Sequence, residues 1–186
     1  APAELPAGAT TGSGKLELTG ATYTGYSSKS LAANNWEEEG AWVISEVNAE
    51  NYENLTFSAS LRSSKTGAKN FQLEYSLDNG QSFKAVEGGA VEIVSTDLKK
   101  LYENVKLPTE LSGKKFMLRV KKVGTVSVNG GTVATTGASN INHILIQGTT
   151  EGGTEQVETC ETVEASIASG VVEAGTEISF SCKTEG

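Results

Sequence analysis

Residues 54–62 read NLTFSASLR, and residues 71–86 read FQLEYSLDNGQSFKAV. In the first run Leu55, Phe57, Ala59 and Leu61 alternate with Thr56, Ser58, Ser60 and Arg62, the period of a strand with one buried face. In the second, Phe71, Leu73, Tyr75 and Leu77 alternate with Gln72, Glu74 and Ser76 as far as Asp78-Asn79-Gly80. Asn-Gly supplies the positive φ of a tight hairpin turn, and 82–86 is the return strand of an antiparallel pair.

Working outward, further strands are expected at 15–19, 42–47, 90–94, 104–107, 115–122 and 141–147, each bounded by Gly, Asn, Ser or Pro. One short helix is predicted: Thr96 caps Asp97 to Tyr102, with Pro108 beyond it. About nine short strands in roughly 150 residues, without the 10–15-residue helical patterns of an α/β protein, predict an all-β fold. The expected architecture is a two-sheet antiparallel β-sandwich over 15–148, arranged as a jelly roll. Residues 1–14 read as a flexible lead-in of small residues, Gly and Pro, with neither the basic start nor the apolar core of a signal peptide. Residues 149–156 form a polar Gly/Thr linker. Beyond it, 157–165 and 177–183 flank a turn, a hairpin's worth of structure that either packs on the sandwich or opens a second domain.

Charge divides the chain at the same place. The 186 residues carry a formal charge of −8, yet residues 151–186 hold eight Glu and one Lys, while 1–150 hold 15 acids and 14 bases. A near-neutral domain without a basic stripe argues against a nucleic-acid partner. No segment approaches the roughly 18 uninterrupted apolar residues of a membrane span, so no membrane insertion is expected. Catalysis is hard to build here. His143 is the only histidine, which removes a two-histidine metal motif, and Asp78 and Asp97 sit in a turn and at a helix start, so no Ser-His-Asp triad is expected. Neither a G-x-S-x-G elbow nor a phosphate-binding loop occurs, and Glu37-Glu38-Glu39 reads as a solvated loop. His143 shares strand parity with Ile141 and Leu145 and is expected to be a partly buried strand histidine.

The runs at 52–86 and 127–148 (SVNGGTVATTGASNINHILIQG) resemble the galactose-binding-like jelly-roll modules of large bacterial cell-surface and secreted proteins. The tail CETVEASIASGVVEAGTEISFSCKTEG (160–186) looks like the opening strands of a chitobiase C-terminal type of immunoglobulin-like module. These resemblances imply an extracellular, multimodular bacterial protein with neighbouring domains on the same polypeptide. Galactose-binding-like modules often carry a structural calcium, which loop carbonyls would hold with little sequence trace. In an extracellular setting Cys160 and Cys182 form a disulfide; the alternative is two small buried thiols. A zinc site would need more ligands than these two and His143.

Binding is the more plausible chemistry. Sugars pack C–H faces on aromatic rings and match hydroxyls to Asn, Gln, Arg or carboxylates. The loop-like stretch 23–42 concentrates Tyr23, Tyr26, Asn35, Trp36 and Trp42, which include both tryptophans and two of the five tyrosines. Trp42 shares parity with Ile44 and reads as core, while Trp36, in a polar loop, fits either core or ligand platform. Arg62 and Asn129 border a second candidate, the loops at 63–67 and 129–140, whose glycines alternatively only permit tight turns. The expected function is noncatalytic binding of a polysaccharide or glycan, with two aromatics in one loop suiting a curved α-glucan. The competing reading is a spacer or protein-contacting module. An exposed Trp36 ring beside Asn or Arg marks the first, and two buried tryptophans mark the second.

Overall fold

The computed structural model describes residues 15–27, 30–150, 162–165 and 180–183. The chain divides into two compact units, Ala1–Glu151 and Gly152–Gly186. In the first, the strands are β1 (Lys15–Thr19), β2 (Thr22–Ser27), β3 (Ser30–Asn34), β4 (Ala41–Asn48), β5 (Tyr52–Ser63), β6 (Ala68–Ser76), β7 (Lys84–Glu92), β8 (Lys99–Lys106), β9 (Lys115–Ser127) and β10 (Ser139–Thr150). They form two antiparallel five-stranded sheets, ordered β1-β4-β9-β6-β7 and β2-β3-β10-β5-β8. This is the expected β-sandwich with jelly-roll character, because the chain crosses between sheets at nearly every connection. In the second unit β11 (Thr162–Ala165) pairs antiparallel with β12 (Phe180–Lys183), Val163 opposite Cys182. Cys160 lies outside the described residues, and with it the expected disulfide.

The period-two alternation of the decisive runs becomes the interface between the sheets. Leu55, Phe57, Ala59 and Leu61 of β5 and Phe71, Leu73 and Tyr75 of β6 are all buried in one core cluster. Into it Trp36 and Trp42 enter together. Their ring centroids lie 4.7 Å apart at 75°, and Trp42 stacks on Phe71 at 5.2 Å. Trp36 comes from the connection between β3 and β4, where Asn35 takes a left-handed φ of 49° and donates its N–H to Thr135 O at 2.8 Å. Asn tolerates that conformation better than most residues, and the reversal turns the next side chain inward. Gly40 completes the turn: a Cβ there would stand 2.5 Å from Gly20 O and 2.8 Å from Trp36 Cε3.

Several expectations need correction. The predicted helix at 96–102 is absent: Ser95 Oγ and Asp97 close a short turn, and Lys99 onward pairs with β5 as β8. Six residues make a marginal helix in water, whereas strand pairing buries Tyr102 completely, edge-on to Phe57 at 5.4 Å. The stretch at 22–34 is two paired strands, not loop, because tertiary pairing organises small residues with weak intrinsic preference. The separate strands expected at 82–86 and 90–94 are largely one strand, β7, and Leu77 lies past the end of β6, exposed. His143 is exposed at a β-bulge with φ 50°, so Ile141 faces the core while the bulge shifts the inward positions to Ile144 and Ile146. Residues 149 and 150 also belong to β10, opposite Glu53 and Tyr52.

With Trp36 in the core, Trp36→Ala should lower the unfolding free energy by about 3–5 kcal/mol through a large cavity. Urea denaturation followed by far-UV circular dichroism measures this, and a loss below about 1 kcal/mol would contradict the packing described.

Candidate functional site

On the outer face of the first sheet, register places Val43, Arg119 and Glu74 side by side on β4, β9 and β6. Asn70, Gln72 and Glu74 of β6 and Met117, Arg119 and Lys121 of β9 alternate with the buried Phe71, Leu73, Leu118 and Val120 and so point away from the core. Arg119 is therefore carried across an outer surface, yet its side chain is only 17% exposed. Three contacts hold it flat. Its Nε donates to Glu74 Oε2 at 2.5 Å, its Nη2 lies 3.5 Å from Glu39 Oε2, and its guanidinium carbon sits 4.1 Å from the Phe83 ring centroid. Glu39 also accepts from Lys121 Nζ at 2.5 Å, a hydrogen bond that holds its carboxyl below the ordinary range. Two carboxylates and two cations thus form a charge-balanced strip with an aromatic ring laid upon it.

Phe83 reaches this strip because the β6–β7 hairpin folds over the sheet. A Cβ on Gly80 would meet Met117 Sδ at 3.4 Å and Phe83 Cε2 at 3.8 Å. Asp78 shapes the turn: it accepts from the Ser82 hydroxyl, from Ser82 N at 2.9 Å and from Ser76 Oγ at 2.7 Å. These bonds, the Ser82 hydroxyl foremost, pull the Asp78 carboxyl from its ordinary 3.8 to about 2. Beside the hairpin lies an open cavity of about 220 Å³, lined by Tyr75, Ser76, Leu77, Asp78, Ser82 and Lys84. The Tyr75 hydroxyl donates to Glu110, which lowers the Glu110 carboxyl and raises the phenol, and Lys84 Nζ stands 3.5 Å from Glu110 Oε1. The cavity is smaller than the roughly 300–1,000 Å³ of small-molecule pockets, so the site is a surface with a recess.

The residues singled out by sequence are not brought together as a site. Trp36 and Trp42 are 9% and 0% exposed, so neither ring is a platform; their concentration with Tyr23 and Tyr26 marked a core entry point. Asn35 is a turn residue. Tyr23, 55% exposed, lies on edge strand β2 opposite Ala33, and Tyr26 lies in the same strand opposite Leu31. Asn129 has its side-chain oxygen committed to Ser127 Oγ at 2.7 Å and Gly131 N at 3.2 Å. Its loop is knitted to 63–67 by backbone bonds such as Asn129 N to Lys65 O at 2.9 Å, and the reading of those glycines as turn formers fits this packing. Arg62 points outward from β5 on the other sheet, opposite Asn140. Phe83, Arg119 and Glu74 were missed, although the alternation of 71–86 already placed Glu74 on the outer face. Among the described residues no three His, Cys, Asp or Glu side chains converge on a metal position, so side chains there do not build a calcium site. No helix among them is long and apolar enough to cross a membrane.

No protein-family model and no curated protein matches the chain. Solved structures do. Carbohydrate-binding modules are among the structures similar to it. A family 29 carbohydrate-binding module from Piromyces equi is 10% identical, with 72% of this chain and 78% of that one covered and a TM-score of 0.42. A second family 29 module is 12% identical over 72% and 77% of the two chains, with a TM-score of 0.44. A variant of such a module complexed with cellulohexaose is 12% identical over 72% and 79%, with a TM-score of 0.43. At such identities no residue of one chain can be laid on a residue of the other, and none of the three is a chitobiase-type module.

The depressed Asp78 carboxyl gives a signed expectation. Because its folded pKa lies below its unfolded one, its contribution to the hairpin is fully present above about pH 4 and lost as pH falls towards 2. In carboxyl-detected NMR, Asp78 should titrate near 2, and Ser82→Ala should move the midpoint towards the ordinary value; an unmoved midpoint would contradict the bonding.

Proposed function

We propose that this domain is a noncatalytic carbohydrate-binding module whose site is the outer face of the first sheet, with a neutral polysaccharide as ligand. The observation that carries the reading is the strip in which Arg119 is held between Glu74, Glu39 and the Phe83 ring. Hydroxyl pairs find fixed donors and acceptors there, and an aromatic ring stands beside them. Side chains ordered before binding reduce the entropy lost on association. Two cations against two carboxylates favour a ligand without charge. The recess beside the hairpin is sized for part of a polymer, not for an enclosed small molecule. The lowered carboxyl of Glu39 does not suit the general-acid role of glycoside hydrolysis.

The sequence resemblance supports placing this domain in an extracellular, multimodular bacterial protein with neighbouring domains. Two aromatics in one loop would suit a curved α-glucan; with both tryptophans in the core, the ligand that the strip suits is a neutral glycan. A second reading, a spacer that positions a neighbouring domain, is favoured by one observation, the burial of both tryptophans.

Affinity electrophoresis through gels of soluble neutral polysaccharides separates the two. Glycan binding predicts retardation in at least one gel that Phe83→Ala and Arg119→Ala, checked for folding by circular dichroism, weaken by about tenfold. Unchanged mobility across a broad panel, or retardation untouched by either substitution, would leave the spacer reading standing.

A further inference from the structure

The outer face of the second sheet has a different electrostatic character. Most strand cations of the first sheet are paired: Lys15 with Glu46, Lys69 with Glu92, Lys84 with Glu110, Lys115 with Glu50. On the second sheet Arg62 and Lys106 are both exposed, and among the described residues neither has a carboxylate partner. Register places them on one face. Arg62 lies opposite Asn140, and Lys106 lies opposite Thr56, six residues back along β5 and therefore of the same parity. Between them Lys100, opposite Ser60, projects to the same side and meets Glu103 at 3.2 Å, a half-exposed pair of small worth. The remaining strands of this sheet, β2, β3 and β10, contain no acidic residue.

The floor between these cations is built from short polar side chains. Ser58, Ser60, Asn140 and Asn142 are each under 9% exposed although their parity directs them outward. Ser58 Oγ donates to Asn104 Oδ1 at 3.1 Å, and Asn142 Nδ2 donates to Ser30 Oγ at 3.0 Å. At about 3.4 Å per residue, the positions of Arg62 and Lys106 are on the order of 20 Å apart along β5.

We propose that this face binds a carboxylated polysaccharide lying along β5, with its carboxylates on Arg62, Lys100 and Lys106. The cations supply charge complementarity, and a guanidinium accepts a carboxylate through two parallel hydrogen bonds. Their spacing demands a polymer, since a small anion reaches only one of them. A polar, uncharged surface between the cations suits a hydroxyl-bearing chain, and among the described residues the exposed ring of this sheet, Tyr23, lies opposite the core residue Ala33 and so does not share the parity of Arg62 for stacking a nucleobase. The surface is separate from the Arg119 strip, which lies on the other sheet.

The test is affinity electrophoresis of the whole chain in polygalacturonate, in neutral dextran and with an oligothymidylate probe, at low and at raised salt. Retardation by polygalacturonate should appear at low salt, fade as salt rises, and fall about tenfold or more in Arg62→Ala/Lys106→Ala, whose thermal unfolding should match the parent. Phe83→Ala should leave it unchanged, which separates this surface from the first-sheet site. No retardation at low salt, retardation that survives the double substitution, or stronger binding of the oligothymidylate would each overturn the proposal.

Discussion

The edge-to-face contact between Trp36 and Trp42, closed by the stack of Trp42 on Phe71, is the constraint on which the rest of the sandwich depends. Large aromatic rings bury more surface than any other side chain, and their offset geometry adds to that burial. Trp42 fixes the inward face of β4, Phe71 that of β6, and Trp36 pins the turn between β3 and β4 to both. That turn matters beyond the core, because it carries Glu39. The carboxylate that braces Arg119 and Lys121 from outside is three residues from the ring that packs inside, so surface order follows from core order.

Much of the architecture was legible in period-two patterning. NLTFSASLR and FQLEYSLDNG specify which side chains go in, and the Asn79-Gly80 turn specifies that their neighbours return antiparallel. What was not legible has local causes. Thr96 and Asp97 look like a helix start, but the same residues serve a tight turn before a strand, and only the place reserved for Tyr102 beside Phe57 decides between them. β2 and β3 contain Gly, Ala, Ser and Asn, residues with little strand preference of their own, and pairing with β10 organises them. The inward and outward assignments along β10 fail at His143 because one bulged residue inverts every position after it.

The candidate site shows the same division. Glu74 and Arg62 were placed outward correctly by alternation alone. Arg119 and Glu74 are 45 residues apart, and their meeting depends on the register of β6 against β9, which neither segment states by itself. Trp36 shows the limit of neighbourhood alone. Its polar neighbours, Asn35 on one side and Glu37 on the other, leave core and surface equally open, and the left-handed turn at Asn35 sends it inside.

The lysines of β8 carry one more consequence. β8 is an outer strand of its sheet, and such strands offer unpaired backbone groups to any other extended chain. Lys99, Lys100 and Lys106 line both ends of that row, where approach of a second copy would press like charges together. Repulsion between these side chains thus opposes edge-to-edge pairing at this margin of the sheet.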